Sequence, residues 1–376
     1  MSAEVLIGAR IFDGVRFRDA AALLIEDGEV AAIASDSELP ARVPRRTLSG
    51  GILAPGLVDL QVNGGGGIQF NAAPTAETLS RMAKAHARLG TTTLLPTLIT
   101  DRPEITAAAI AAAEVAVASC RGIGGLHLEG PHLDPARAGA HDRDLIRPMN
   151  DADLARLVDA AVRLPSLIVT LAPRSAKDAQ IAALREAGAI VSIGHSDASH
   201  EAACGAIAAG VTMATHLFNA MSPLGHRAPG VVGAALTERL WSGIIADGIH
   251  VHPSALRIAL AASPDRLFLV TDAMAPAGTD LDRFTLNGRE VRRQDSRLTL
   301  EDGTLAGADL DLPRAMRLLM ELGEPLETVL AMATSRPADA IGRADIGRLT
   351  EGGPADLVHL DDALRPTAIW QRGQPV

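Results

Sequence analysis

Between residues 52 and 270 the chain repeats one pattern eight times: a short apolar run, a few polar or glycine-rich residues, then an alanine-rich segment with helical spacing. The runs fall at 52–62, 92–99, 123–128, 167–171, 189–193, 211–215, 241–246 and 267–270. Strand alternating with helix predicts a parallel sheet covered by helices, and eight such units predict an α/β fold of the (β/α)8, TIM-like barrel type. Nearly continuous apolar runs are what strands buried on both faces require. Residues 76–89 and 176–187 read as two of the helices, the second stopped by Gly188.

The two ends follow another rule. Residues 4–9, 20–26 and 29–33 alternate apolar with polar and are punctuated by Asp13-Gly14 and Asp27-Gly28, the signature of hairpins. After Gly347 the same style returns around Gly352-Gly353 and Gly373. The expectation is a small β-sandwich made from residues 1–50 and 347–376, enclosing a barrel inserted at 51–346. Residues 283–305, with turns at Asn287-Gly288 and Asp302-Gly303, read as a hairpin excursion flanking the barrel mouth.

Composition removes several function classes. Aromatic residues make up 2% of the 376, with no Tyr, and the formal charge is -10, so neither base-stacking platforms nor a polyanion-binding surface is expected. A small anionic substrate stays open, because a few cations placed in a pocket outweigh distant, screened surface charge. Cys120 and Cys204 lie in alanine-rich surroundings without metal-ligand spacing and read as buried free thiols. The start Met1-Ser-Ala-Glu-Val has no basic segment leading into an apolar one, and no run reaches the roughly 18 apolar residues of a membrane span. A cytoplasmic protein without membrane partners is the expectation.

Barrel active sites sit at the C-terminal ends of the strands. The residues that fall there are Gln61 and Asn63 after the first run, Glu129 after the third, His195 after the fifth, His216 and Asn219 after the sixth, Asp247 and His250 after the seventh, and Asp272 after the eighth. Glu129 closes Gly125-Leu-His-Leu-Glu129 and is followed by Gly130-Pro131, which ends the strand. One carboxylate and two imidazoles suit a catalytic zinc that keeps a position open for water. Either histidine alone reads more readily as a satisfied core residue than as a ligand; it is their combination with Glu129 at barrel strand ends that points to a metal. Asp272 is placed to take and return a proton beside such an ion, or to cap the loop that follows it. Gly64 to Gly67 matches neither the dinucleotide nor the Walker pattern and reads as a tight loop near the ligand.

Seven segments then carry a resemblance: Ala54-Pro-Gly-Leu-Val-Asp-Leu-Gln-Val-Asn63, Gly125-Leu-His-Leu-Glu-Gly-Pro131, Gly194-His-Ser196, Thr215-His-Leu-Phe-Asn-Ala-Met221, Ile245-Ala-Asp-Gly-Ile-His250, Val270-Thr-Asp-Ala273 and Leu305-Ala-Gly307. With the terminal Gly353-Pro-Ala-Asp-Leu-Val358, they resemble the signatures of the N-acetylglucosamine-6-phosphate deacetylases, a family of the amidohydrolase superfamily, over nearly the whole chain. The resemblance implies hydrolysis of N-acetyl-D-glucosamine 6-phosphate to D-glucosamine 6-phosphate and acetate. It implies one divalent ion, zinc first with Fe2+, Co2+ or Mn2+ also suited, on Glu129, His195 and His216, with Asp272 as base and acid. His141 matches the histidine that polarises the acetyl carbonyl. Asn219, the backbone at Ala220, Arg227 and His250 match phosphate-binding positions, and Gln61, Asn63, His141 and Leu305 are expected to contact the substrate as well. A homodimer is implied, in which Arg227 or His250 reaches the partner subunit's site; read alone, Arg227 is equally a surface charge.

The chain departs from the wider superfamily where His-X-His follows the first strand. Gln61 and Asn63 stand there, and neutral amides are poor zinc ligands, so a single tightly held metal is expected. Ala228 follows the loop arginine where relatives often have Glu. A relative acting on N-acetylgalactosamine 6-phosphate, or on a small or cyclic amide, would share the metal site. A non-catalytic binding protein on an inherited barrel would have lost ligands that are present here.

Overall fold

A computed structural model of the chain describes residues 3–19 and 21–376, so the first residue of the run read over 20–26 lies outside the described residues. Eight parallel strands form one sheet: β1 (Leu57–Val62), β2 (Thr91–Ile99), β3 (Leu126–Glu129), β4 (Leu167–Leu171), β5 (Ile190–Ile193), β6 (Met213–Ala214), β7 (Trp241–Ile244) and β8 (Leu267–Leu269). Each pairs with the next in chain order, and all their residues are buried except the first of β7. The seam between β8 and β1 carries no ladder. It is closed just beyond the strand ends by a Val62–Ala273 bridge and by the N–H of Asp272 donating to the Gln61 carbonyl at 3.0 Å. The sheet is thus nearly closed into a barrel with helices between its strands.

The helices start where the sequence provides acceptors. Thr75 accepts the N–H of Thr78 at the start of Ala76–Ala87, and Asn150 forms a reciprocal cap with Asp153 at the start of Asp151–Arg163. The segment read over 176–187 is helical over Asp178–Glu186.

The first apolar run divides at Gly56. A Cβ there would lie 1.9 Å from Thr92 Oγ1, so the chain can cross β2 at this point only without a side chain. Ile52–Pro55, read above as part of the barrel, instead pairs with Leu357–Leu360 and Arg10–Phe12 in a six-stranded sheet built from both ends of the chain. A four-stranded sheet of Ala3–Ile7, Ala22–Glu26, Glu29–Ala34 and Arg45–Thr47 faces it, and Leu6, Leu23, Ile11, Leu53, Leu357 and Trp370 share the core between them.

The excursion after the eighth run is a four-stranded antiparallel sheet from Arg283 to Ala308. Asn287 (φ 47°) and Gly288 (φ 78°) make its first turn, as the Asn-Gly pair predicts. An Ala273–Ala308 bridge attaches it to the C-terminal end of the barrel. Two expectations need correction. Cys120 and Cys204 are half-buried, the first just past the end of the helix Pro103–Ser119 and the second within the helix His200–Ala209. The glycine loop packs on residues 275–277 and on the His86 ring, which bonds the Gly64 carbonyl at 2.8 Å, and it does not reach the cavity described next. Among the described residues no helix is long and apolar enough to cross a membrane.

Candidate active site

A cavity of about 380 Å³ opens at the C-terminal ends of the strands. Asn63, Glu129, His141, His195, His216, Asn219, Ala220, His250, Asp272 and Leu305 all line it. Glu129 is the last residue of β3; His195 and His216 come two residues after β5 and β6, and Asp272 three after β8. The last three adopt positive φ, 45°, 33° and 51°, which turns their side chains back over the barrel mouth.

Three donor atoms meet at one point. Glu129 Oε1 lies 3.1 Å from His195 Nε2 and 2.8 Å from His216 Nε2, and the two nitrogens are 3.1 Å apart. Ligand atoms on one tetrahedral zinc lie about 3.3 Å apart for bonds of about 2.0–2.1 Å, so the trio is near that spacing. The tautomers sharpen the point. His195 Nδ1 is 2.8 Å from the Arg137 carbonyl, which can only accept, so Nδ1 carries a proton and Nε2 faces Glu129 bare in any neutral form of the ring. A bare nitrogen against a carboxylate is repulsive unless a proton or a cation stands between them. Burial opposes ionisation of Glu129, yet hydrogen bonds and charge from His195 and His216 hold its carboxyl well below the usual range. Burial likewise works to lower His216, but Glu129 outweighs it and the imidazole is raised. The donor set therefore demands positive charge at its centre and fits a divalent ion.

His141 differs in its proton. The Thr100 N–H donates to His141 Nδ1 at 3.3 Å, with the Thr100 hydroxyl 2.7 Å from the same atom, so the hydrogen belongs on Nε2. That nitrogen stands 3.9 Å from Glu129 Oε2, and the ring packs 4.3 Å from that of His195. Glu129, His141 and His195 also lie close enough to hold an ion together. A protonated Nε2 is a donor, however, not a ligand. Burial, then the neighbouring His195, pushes His141 well below its ordinary value and keeps it neutral.

Asp272 is held by amides. Asn63 Nδ2 donates to its Oδ1 at 2.6 Å, and Gln61 Nε2 sits 3.3 Å from that oxygen and 3.3 Å from both oxygens of Glu129. Gln61 does not line the cavity itself; it joins the two carboxylates from beneath. Burial, with the charge of Glu129, raises Asp272 to about 6.

Arg227 does not line this cavity; it is exposed on the loop before the helix Gly230–Thr237. Sequence reading missed Thr100 and the Arg137 carbonyl. The second carries no side-chain signal at all, and the first is one threonine just past the end of a threonine-rich strand.

The amidohydrolase family model matches residues 52–375. The chain belongs to the amidohydrolase family. This amidohydrolase is 42% identical over 375 residues to the N-acetylgalactosamine-6-phosphate deacetylase of Shewanella sp. (strain ANA-3), covering 98% of this chain and 94% of that protein. It is 38% identical to the N-acetylglucosamine-6-phosphate deacetylase of Homo sapiens, covering 88% and 85%. The solved structure of the N-acetylglucosamine-6-phosphate deacetylase from Pasteurella multocida superposes with a TM-score of 0.96 at 33% identity, covering 100% of this chain and 99% of that one.

Proposed function

We propose that this amidohydrolase removes the N-acetyl group of N-acetyl-D-glucosamine 6-phosphate, giving D-glucosamine 6-phosphate and acetate. The observation that carries the reading is the meeting of Glu129 Oε1, His195 Nε2 and His216 Nε2 within 3.1 Å of one another, on a cavity that Asp272 also lines. These three residues would hold one divalent ion per subunit, zinc first, with Fe2+, Co2+ and Mn2+ also accepted by nitrogen and oxygen ligands. When bound, such an ion supplies Lewis acidity and lowers the pKa of a water from about 15.7 in bulk toward about 7.

The remaining steps belong to the chain. Asp272 takes a proton from the attacking water as its oxygen bonds to the amide carbon, and returns it to the nitrogen as the C–N bond breaks. A carboxyl that titrates at about 6 can do both near neutral pH. His141 donates Nε2–H to the carbonyl oxygen as it gains charge. Gln61 and Asn63 keep Asp272 aimed. Asn219, the backbone at Ala220, His250 and Leu305 orient the sugar phosphate from a distance, so that little motion is left to the reacting carbon. Arg227, exposed and outside the cavity of its own chain, suits a homodimer in which it reaches the partner subunit's site.

The 42% identity to a galactosamine enzyme favours a second reading, in which the 4-epimer is also a substrate or the better one. Acetate release from purified protein of known metal content, on both 6-phosphates and both unphosphorylated sugars, tests the two together. The expected result is turnover of at least one 6-phosphate far above its unphosphorylated form. Failure on both phosphates would remove the assigned reaction.

A further inference from the structure

His250 lines the cavity but is not free to turn. Its Nδ1 lies 2.6 Å from Asp247 Oδ2, and the two side chains are only 7% and 2% exposed. The other oxygen of Asp247, Oδ1, accepts the backbone N–H groups of Ile249 at 2.8 Å and His250 at 2.7 Å. The carboxylate is thus clamped by the turn that follows it, with one oxygen left for the ring. Because that oxygen accepts, Nδ1 carries a hydrogen. Nε2 remains the open nitrogen, and it has no hydrogen-bond partner among the described residues.

Charge near the cavity is sparsely distributed. Arg137 lines it, but its guanidinium is paired with Asp197 at 2.8 Å. His141, His195 and His216 gather around Glu129. Of the cavity side chains able to carry positive charge, His250 alone faces in without being committed to the metal trio or to an exposed carboxylate. Asn219 and Ala220 share its wall; Ala220 sits at φ 50° and its N–H makes no hydrogen bond among the described residues. An anion beside His250 and Ala220 would meet an open N–H and an imidazole, whereas one beside Glu129 and Asp272 would meet two carboxylates.

We propose that Asp247 is a positioning residue for the substrate's phosphate, acting through His250. This rests on the phosphorylated-sugar reading above. With a carboxylate on Nδ1–H, the ring can offer Nε2–H to a phosphate only as an imidazolium, and Asp247, 2.6 Å from Nδ1, stands as the counter-charge to that form and fixes its direction. Asparagine at 247 keeps its carbonyl for the two backbone N–H groups but removes the charge and turns an amide NH2 toward the ring, so that Nδ1 becomes the acceptor and Nε2–H the neutral ring's donor. The hydrogen bond to phosphate then weakens from a charge-assisted to an ordinary one, or is lost.

The test uses metal-loaded wild type, Asp247→Asn, His250→Gln and the double variant, each assayed on N-acetylglucosamine 6-phosphate and on unphosphorylated N-acetylglucosamine. Asp247→Asn should raise KM for the phosphorylated sugar about tenfold or more, with less than a twofold change in KM for the other. In the His250→Gln background the same change should add little, because its route to the phosphate is gone. Equal losses on both sugars, or losses that multiply in the double variant, would overturn the inference. Asp247→Ser, which keeps an oxygen for the two backbone N–H groups, replaces the asparagine variant if that one does not fold. Should the wild type show no preference for the phosphorylated sugar, the functional reading itself fails. If the preference is present and survives Asp247→Asn, only the role of Asp247 falls.

Discussion

Asp59 offers a prediction whose sign is unusual for a carboxylate. It lies fully buried at the seam between β1 and β8, where its Oδ1 accepts the N–H groups of Gln61 and Thr271 at 3.2 Å each and its Oδ2 the Thr271 hydroxyl at 2.6 Å. Burial nevertheless pushes the carboxyl up to about 7, overriding those three hydrogen bonds, and the charge of Asp272 adds to it. In the unfolded chain the same group titrates near about 3.9. Below about pH 4 both states hold the proton and stability is unaffected. Between about pH 4 and 7 the folded state keeps the proton and the unfolded chain does not, so folding loses about 1.36 kcal/mol per pH unit until the folded state ionises too. Asparagine removes this dependence, since its carbonyl can accept both N–H groups and the Thr271 hydroxyl can turn to accept from the amide. From pH 5 to pH 8 the stability of Asp59→Asn relative to wild type should therefore rise by about 3 kcal/mol, which is two units at 1.36 kcal/mol each. In a chain of this size that is a few degrees in Tm. Thermal unfolding followed by circular dichroism, with chelator present so that metal binding adds no pH dependence of its own, measures it. A Tm difference between variant and wild type that stays constant from pH 5 to 8 would refute the reasoning.

Asp272→Asn should lower kcat by about 10²–10⁴ while metal content stays at the wild-type level; loss of metal alongside activity would make Asp272 a ligand instead. Chelation should abolish turnover, and one equivalent of a divalent ion per chain should restore it. Activity that persists in metal-free protein would remove the metal from the chemistry. Thr100→Val takes away the hydroxyl 2.7 Å from His141 Nδ1 and should reduce kcat by up to about tenfold with KM nearly constant. Asp272 acts first as a base and so must be ionised. With its carboxyl raised to about 6, kcat/KM should fall as pH drops through about 6 or, with the bound ion's charge nearby, somewhat lower. Asn63→Ala, which deletes the 2.6 Å hydrogen bond that favours the ionised form, should move that limb upward, and a downward shift would contradict it.

The barrel was legible because its signal is redundant. Eight apolar runs separated by helical segments leave few alternatives, and an error of a few residues in any one of them does not change the topology. The division of the first run at Gly56 was not legible. Pro55-Gly56 interrupts residues 52–62, but nothing local says that two different sheets meet there; the reason is the close crossing of Thr92, a contact distant in sequence. At the site, strand-end position placed Glu129, His195, His216 and Asp272 correctly on one cavity. What stayed hidden were partners that act through the backbone or by proximity alone: the Arg137 carbonyl that sets the tautomer of His195, and the Thr100 N–H that sets the opposite one in His141.

The convergence of the donor atoms depends on a backbone feature that the residue types actively conceal. A side chain with positive φ costs roughly 1–2 kcal/mol, and sequence reading looks for glycine or asparagine at such places. Here His195, His216 and Asp272 all adopt it, each within three residues of its strand, while Glu129 continues its strand and leaves the positive φ to Gly130. Regular alternation would carry a residue past the strand end toward either face of the sheet. The left-handed turn instead folds each of the three back over the barrel axis, where the side chains can meet. That strain must be held from outside, and the contacts that hold it are visible: the Arg137 carbonyl on the His195 ring, and the Asp59 carboxylate on Thr271, next to Asp272. Residues that are not themselves ligands thus decide whether the donor atoms converge. Loosening Asp59 by removing its acceptors, as in Asp59→Ala, should therefore cost activity as well as stability, whereas Asp59→Asn, which keeps them, should cost little activity.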